Sequence, residues 1–186
     1  MRVFLERPTR RREAEFLRCV RRSRLLHAGF LSPPATPAAY RAYVSVLRRK
    51  DQEAFLVVLV ESGDLAGVVT IDDIARGSFQ CACIGYYSFA PHAGRGFMRE
   101  GVQLAIRRCF RELRLHRLEA NIQPANRRSI ALVASLGFRR EGLAQRFAKV
   151  AGRWRDHERW ALLADDWRAT HRAKRVGAAS LPRTRF

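Results

Sequence analysis

Between Ile84 and Ile122 the chain runs strand, glycine turn, helix and strand with no linker between them. Ile84-Gly85-Tyr86-Tyr87-Ser88-Phe89 reads as a strand. It passes through Pro91-His92-Ala93-Gly94-Arg95-Gly96-Phe97 directly into a strongly periodic helix, and Arg117-Leu118-Glu119-Ala120-Asn121-Ile122 is a second strand. Two strands joined by a helical crossover lie parallel, so this stretch alone commits the fold to the α/β class. A glycine-rich turn feeding a helix N-terminus also leaves several backbone N–H groups unpaired and pointing the same way, which suits an anion. A cleft between the two strands completes a plan for holding a phosphate-bearing cofactor, and an enzyme is the first expectation.

The flanking sequence supplies the rest of a mixed sheet. Arg2 to Glu6 alternates as a first strand, and Pro8-Thr9 opens a helix with Thr9 as its expected N-cap and Ala14, Phe16, Leu17 and Val20 as its apolar stripe. Thr36-Pro37 starts a second helix whose face is Tyr40, Tyr43, Val44 and Leu47. Ala54 to Val60 and Leu65 to Ile71 form a hairpin around Ser62-Gly63-Asp64, and Arg76-Gly77-Ser78 turns into the strand that ends at Phe89. The central helix is expected over Gly96 to Leu115, with Val102, Ala105, Ile106, Cys109, Phe110 and Leu113 inward. A short helix follows over Ser129 to Leu136, closed by Gly137. Leu143 to Val150 and Trp154 to Leu162 make a last hairpin around Ala151-Gly152. The domain is expected to span residues 1–168, with 169–186 a basic, flexible tail.

Composition narrows the class. The length suits one domain with a full core, and neither an apolar run of membrane length nor a signal peptide is present, so a soluble cytoplasmic protein is expected. Cys81 and Cys83 alternate onto one strand face and are expected as buried thiols; no metal knuckle, Walker loop or Ser-His-Asp order competes. The formal net charge is +19, carried almost wholly by arginine, with lysine only at Lys50, Lys149 and Lys174. Such a surface favours polyanions, RNA and cofactor phosphates among them. The basic residues are nevertheless dispersed, without the aromatic-interleaved cluster of a single-strand binding platform.

The order of elements resembles the GNAT acetyltransferase fold, and the local motifs are similar to the ribosomal-protein-alanine N-acetyltransferases, the RimJ/RimL-like branch. The carrying residues are Arg76-Gly77-Ser78-Phe79, Gly94 to Glu100, Pro124 to Ser129, Ser135-Leu136-Gly137-Phe138 and Gly152 to His157. The likeness runs from about Ala54 to Trp167. It departs from the superfamily loop at Ala93, where Gln or Arg is usual, and at Met98, where a small residue is usual and the helix start must make room. The resemblance implies a sheet of about seven mostly antiparallel strands with a splayed parallel pair and flanking helices.

It further implies that the pyrophosphate of acetyl-CoA sits on the amides of Gly94, Arg95, Gly96, Phe97, Met98 and Arg99. The plain alternative is a tight strand-to-helix turn. Backbone groups of Ser88 and Phe89 would pair with the pantetheine arm as an added strand, and an N–H there would stabilise the thioester oxyanion. Asn126 matches the asparagine that contacts the cofactor arm, although it serves equally as an N-cap. Ser129 matches the serine that protonates the departing CoA thiolate; otherwise it is a first-turn serine bonded to backbone. Glu119 aligns with a glutamate used as general base in related enzymes, against which stands simple pairing with a nearby arginine. Asp156 and His157 are rivals for the same role.

Together these features imply direct attack of a primary amine on acetyl-CoA, with no covalent enzyme intermediate and no metal. The acceptor implied is the N-terminal alanine or serine of a ribosomal protein. A polyamine, aminoglycoside or amino acid is the second possibility, and a non-catalytic RNA- or ribosome-binding protein on the same scaffold the third. Either a monomer or a homodimer fits. A basic enzyme repels a basic protein acceptor unless its cleft is locally acidic, and Glu119, Asp72, Asp73 and Asp156 are the acids at hand. Phe30, Tyr86, Tyr87, Phe147 and Trp154 are the aromatics that would shape the acceptor pocket, though large aromatics are more often core.

Overall fold

The computed structural model describes residues 1–47 and 49–170. Seven strands, β1 (Val3–Glu6), β2 (Glu53–Leu59), β3 (Leu65–Ala75), β4 (Cys81–Ser88), β5 (Arg117–Ile122), β6 (Arg139–Val150) and β7 (Arg153–Leu163), form one sheet in the order β1-β2-β3-β4-β5-β7-β6. Every neighbouring pair is antiparallel except β4–β5, which is parallel. The helices are α1 (Glu13–Arg22), α2 (Arg24–His27), α3 (Pro37–Val46), α4 (Phe97–Arg111) and α5 (Arg127–Ser135). Residues 164–170 are also helical, so the first two residues of the expected tail belong to the folded chain; the remainder of that tail lies outside the described residues.

Alternation in the central strands feeds two cores. Val69, Ile71, Ala82, Ile84, Leu118 and Ala120 pack against the inward stripe of α4 on one face. Leu56, Val58, Val68 and Phe89 pack against Phe16 of α1 and Tyr40 of α3 on the other. Gly101 brings α4 close to the sheet, because a Cβ there would lie 2.6 Å from Val57 Cγ2.

Local signals set most boundaries. Thr36 Oγ1 accepts from the Ala39 N–H and Pro37 fills the first helical position of α3. Behind α5, Gly137 adopts φ 93°, its N–H donating to the Ala134 carbonyl and that of Phe138 to Val133, which is a Schellman closure. Ala151 and Gly152 both have positive φ, as a two-residue I′ hairpin turn requires.

Three expectations are corrected. Thr9 makes no side-chain cap, because a 3-10 turn at Arg10–Arg12 intervenes before α1 and the Thr9 carbonyl is drawn to the Tyr40 hydroxyl instead. The central helix stops at Arg111 rather than Leu115, and the chain leaves it through Arg114 at φ 53°. Cys81 and Cys83 are free but only partly buried; Cys109 of α4 is the buried thiol.

Candidate active site

The parallel pair holds together for only three residues. Cys81, Ala82 and Cys83 align with Arg117, Leu118 and Glu119, and beyond that point β4 and β5 diverge. On its far side β4 stays paired with β3 as far as Ser88. The divergence opens a cavity of about 330 Å³, bordered by Gly85, Tyr86 and Tyr87 of β4 and by Asn121 of β5. Asn126 and Ser129 line it at α5, and Phe30 to Pro34 line it from the segment after α2.

Two side chains strap its mouth. The His27 Nε2–H donates to the Ser88 carbonyl at 2.8 Å, and the Gln123 amide donates to the carbonyls of Gly29 and Phe30. The α2 segment therefore ties the end of β4 to the end of β5. Burial in apolar surroundings, opposed by the Ser88 hydrogen bond, depresses the His27 pKa.

Beside the opening, Gly94 and Gly96 adopt φ 78° and 82°, and Gly96 caps α4 with no side chain covering its first N–H groups. Only glycine takes these left-handed angles without strain, so the turn-to-helix geometry follows from sequence. The loop is pinned from outside: Arg2 donates to the Arg95 carbonyl and to Glu100, and the Arg2 and Arg95 guanidiniums lie over the Phe97 ring. Room for Met98 comes from β3, where a Cβ at Gly67 would collide with Met98 Sδ and with the Tyr87 carbonyl. Arg99 reaches back to the Ser135 hydroxyl at 3.4 Å.

Of the strand-end backbone, part is already engaged. The Phe89 N–H donates to the Ala66 carbonyl and the Ser88 carbonyl accepts from His27, so neither is open to a cofactor. In an antiparallel ladder the bonds of alternate residues point to opposite sides. Since Phe89 points to β3, the Ser88 N–H and both backbone groups of Tyr86 face the splay instead.

At α5, Asn126 Oδ1 accepts from the Ser129 N–H at 3.2 Å, so the N-cap role is realised. The Ser129 carbonyl accepts from the Tyr86 hydroxyl at 2.9 Å, while the Ser129 hydroxyl makes no hydrogen bond to the described residues and borders the cavity.

The three candidate bases separate cleanly. Glu119 does not border the cavity; its two oxygens are held by Arg117 and Arg159, each at 2.8 Å, which is the plain pairing alternative. Asp156 is exposed, with Oδ1 accepting from the Arg146 N–H. His157 is buried and borders the cavity, its Nδ1 3.0 Å from the Arg155 carbonyl. A carbonyl only accepts, so the proton of the neutral ring sits on Nδ1 and Nε2 is left as a base. Pairing with Arg117, two residues away on the same strand, was legible in the sequence; the second partner, Arg159, was not, since it comes from β7. Of the aromatics, Phe30, Tyr86 and Tyr87 line the cavity, whereas Phe147 and Trp154 lie exposed on the last hairpin.

A seven-stranded mixed sheet opened at one parallel pair, with a glycine-led helix beside the opening, is the acetyltransferase plan. The chain belongs to the GNAT acetyltransferases: residues 2–139 match the family described as Acetyltransferase (GNAT) domain. It is 40% identical over 118 residues to a probable N-acetyltransferase, YjcK, of Bacillus subtilis (63% of this chain, 65% of that protein, so just under two thirds of the relative is spanned). It is 35% identical over 135 residues, 70% of each chain, to the [ribosomal protein uS5]-alanine N-acetyltransferase of Escherichia coli K12. The structure of Mycobacterium smegmatis RimJ in complex with CoA-disulfide superposes with a TM-score of 0.84 at 28% identity, covering 94% of this chain and 89% of that one. Among the described residues no helix is long and apolar enough to cross a membrane, and no His, Cys, Asp and Glu group is placed to hold a metal ion.

Proposed function

We propose that this enzyme transfers acetyl from acetyl-CoA to the α-amine of a protein N-terminus, with alanine or serine first. The observation that carries the reading is the cavity itself. It lies where β4 leaves β5, with Tyr86 on one wall and Ser129 and His157 on others. The RimJ likeness and the uS5-alanine relative supply the acceptor class.

The residues would act as follows. The N–H groups of Phe97, Met98 and Arg99, with the loop from Gly94, receive the pyrophosphate of acetyl-CoA at the positive end of α4. The open backbone of Tyr86 and Ser88 pairs with the pantetheine arm. Asn126 fixes the start of α5 so that Ser129 faces the cavity, where its free hydroxyl donates a proton to the departing thiolate. His157 Nε2 takes the proton from the acceptor nitrogen, in place of Glu119, whose carboxylate is occupied by two guanidiniums. The amine then attacks the thioester carbon directly.

Turnover of acetyl-CoA, followed as thiol release, tests this across peptides starting with Ala, Ser or Met, spermidine and an aminoglycoside. Turnover on the Ala and Ser peptides with little on the small amines is the expected result. Turnover on small amines alone refutes the acceptor assignment. Absence of both turnover and acetyl-CoA binding by calorimetry refutes the enzyme reading.

A further inference from the structure

In a chain with 36 Lys and Arg against 17 Asp and Glu, an unpaired acid inside the protein is out of place. Among the described residues every Asp and Glu has an arginine partner except Glu61, Asp64, Asp72, Asp73 and Asp156. Glu61, Asp64, Asp73 and Asp156 are exposed, so Asp72 alone is both partly withdrawn from solvent and without a cation. It stands directly behind the cavity wall. Thr70, which lines the cavity, donates its hydroxyl to Asp72 Oδ2 at 2.6 Å. Gly85, also a lining residue, leaves the path open: a Cβ there would lie 2.7 Å from Thr70 Oγ1 and 3.8 Å from Asp72 Oδ2.

Two residues that border the same cavity, Tyr43 and Asn121, carry a hydroxyl and an amide oxygen that are buried without a partner, the Asn121 amide nitrogen being turned to Cys83 Sγ. Neither supplies a cation near Asp72. The strand is also shaped here: β3 slips register against β4 just after Asp72, with Asp73 at φ 53°. Bulges of this kind re-aim a side chain beside a functional site.

We propose that Asp72, presented through Thr70 and Gly85, is the counter-charge for the ammonium of the acceptor. This makes Asp72 a specificity-determining residue that admits a primary ammonium, rests on the amine-acceptor reading above, and explains how a strongly basic enzyme draws in a cation. Burial supports it: desolvation holds the Asp72 carboxyl above its usual range, the Thr70 hydroxyl opposing and Asp73 adding repulsion. The groups around it are Tyr43 of α3, Thr70 and Asp73 of β3 and Cys83 of β4, none of them cationic.

The test is Asp72→Asn, which keeps an acceptor for Thr70 and removes only the charge. Alaninamide serves as the ammonium probe and N-acetylalaninamide as its uncharged control. For Asp72→Asn the KM of alaninamide should rise about tenfold or more, with the KM of acetyl-CoA unchanged. The free variant should melt above wild type, because an uncompensated, partly buried charge has been removed. An unchanged KM, or a lower melting temperature with unchanged KM, overturns the proposal. Calorimetry of alaninamide on the CoA-saturated protein decides the matter without turnover. Weaker binding in Asp72→Asn, with control binding unaltered, supports the site even if no acetyl transfer is seen. Equal binding in both proteins, or none in wild type, overturns it.

Discussion

The base can be decided by two substitutions that conserve shape and remove one function each. His157→Gln removes the bare Nε2 of a residue that borders the cavity; Glu119→Gln removes the charge from an ion-paired strand glutamate. A positioned general base contributes about 10²–10⁴ in rate, or about 2.7–5.5 kcal/mol of barrier. His157 is oriented by a neutral backbone carbonyl at 3.0 Å and not by a carboxylate, so the lower half applies and kcat should fall about 10²–10³. Glu119 is 19% exposed and held by Arg117 and Arg159, the latter 43% exposed, and partly solvated pairs contribute about 0.5–1 kcal/mol each. Glu119→Gln should therefore keep kcat within about threefold, while losing about 1–2 kcal/mol of stability and melting about 2–8 °C lower. The assay is thiol release with saturating acetyl-CoA and an Ala-starting peptide, measured from pH 6 to 9, alongside a thermal melt. A His157→Gln enzyme within threefold of wild type, or a hundredfold loss in Glu119→Gln, would refute the assignment and return the role to Glu119.

Two other outcomes follow from packing and burial. Gly67→Ala drives a Cβ into Met98 Sδ and the β4 backbone at Tyr87 and Ser88, so about 1–3 kcal/mol of stability should be lost; Gly67→Ala/Met98→Ala should remain less stable than Met98→Ala, because the β4 backbone cannot yield as a side chain does. Denaturant titrations of the four proteins check this, and equal stability of the last two would disprove it. His27 has its pKa lowered by burial, so the unfolded chain binds its proton more readily, and stability present above the ordinary value of 6.5 is lost as pH falls below it. The stability of wild type relative to His27→Gln should accordingly decline between pH 7.5 and 5.5; a constant difference would contradict the buried neutral ring.

Elements whose causes are local can be read along the chain. Gly94 and Gly96 require left-handed angles, Thr36-Pro37 supplies a cap and a first helical turn, Gly137 closes α5, and the strand–helix–strand from Cys81 to Ile122 enforces a parallel pair. These fix the fold and the cradle beside α4, since each depends on residues a few positions apart. The partnerships across the sheet become visible only once the chain is folded. Glu119 reads either as a general base or as a strand glutamate paired with an arginine, and the fold brings Arg159 of β7 beside Arg117 to claim it; Ser88 reads as an open strand end, yet His27 caps its carbonyl from α2. Asp72 is the converse case, one acid of several in the sequence, left without a cation because β3 turns it inward behind Thr70 and Gly85. The reason is common to all three. Backbone conformation is governed by neighbours along the chain, whereas a charge or a hydrogen-bonding group is governed by whatever the fold brings within about 3 Å of it.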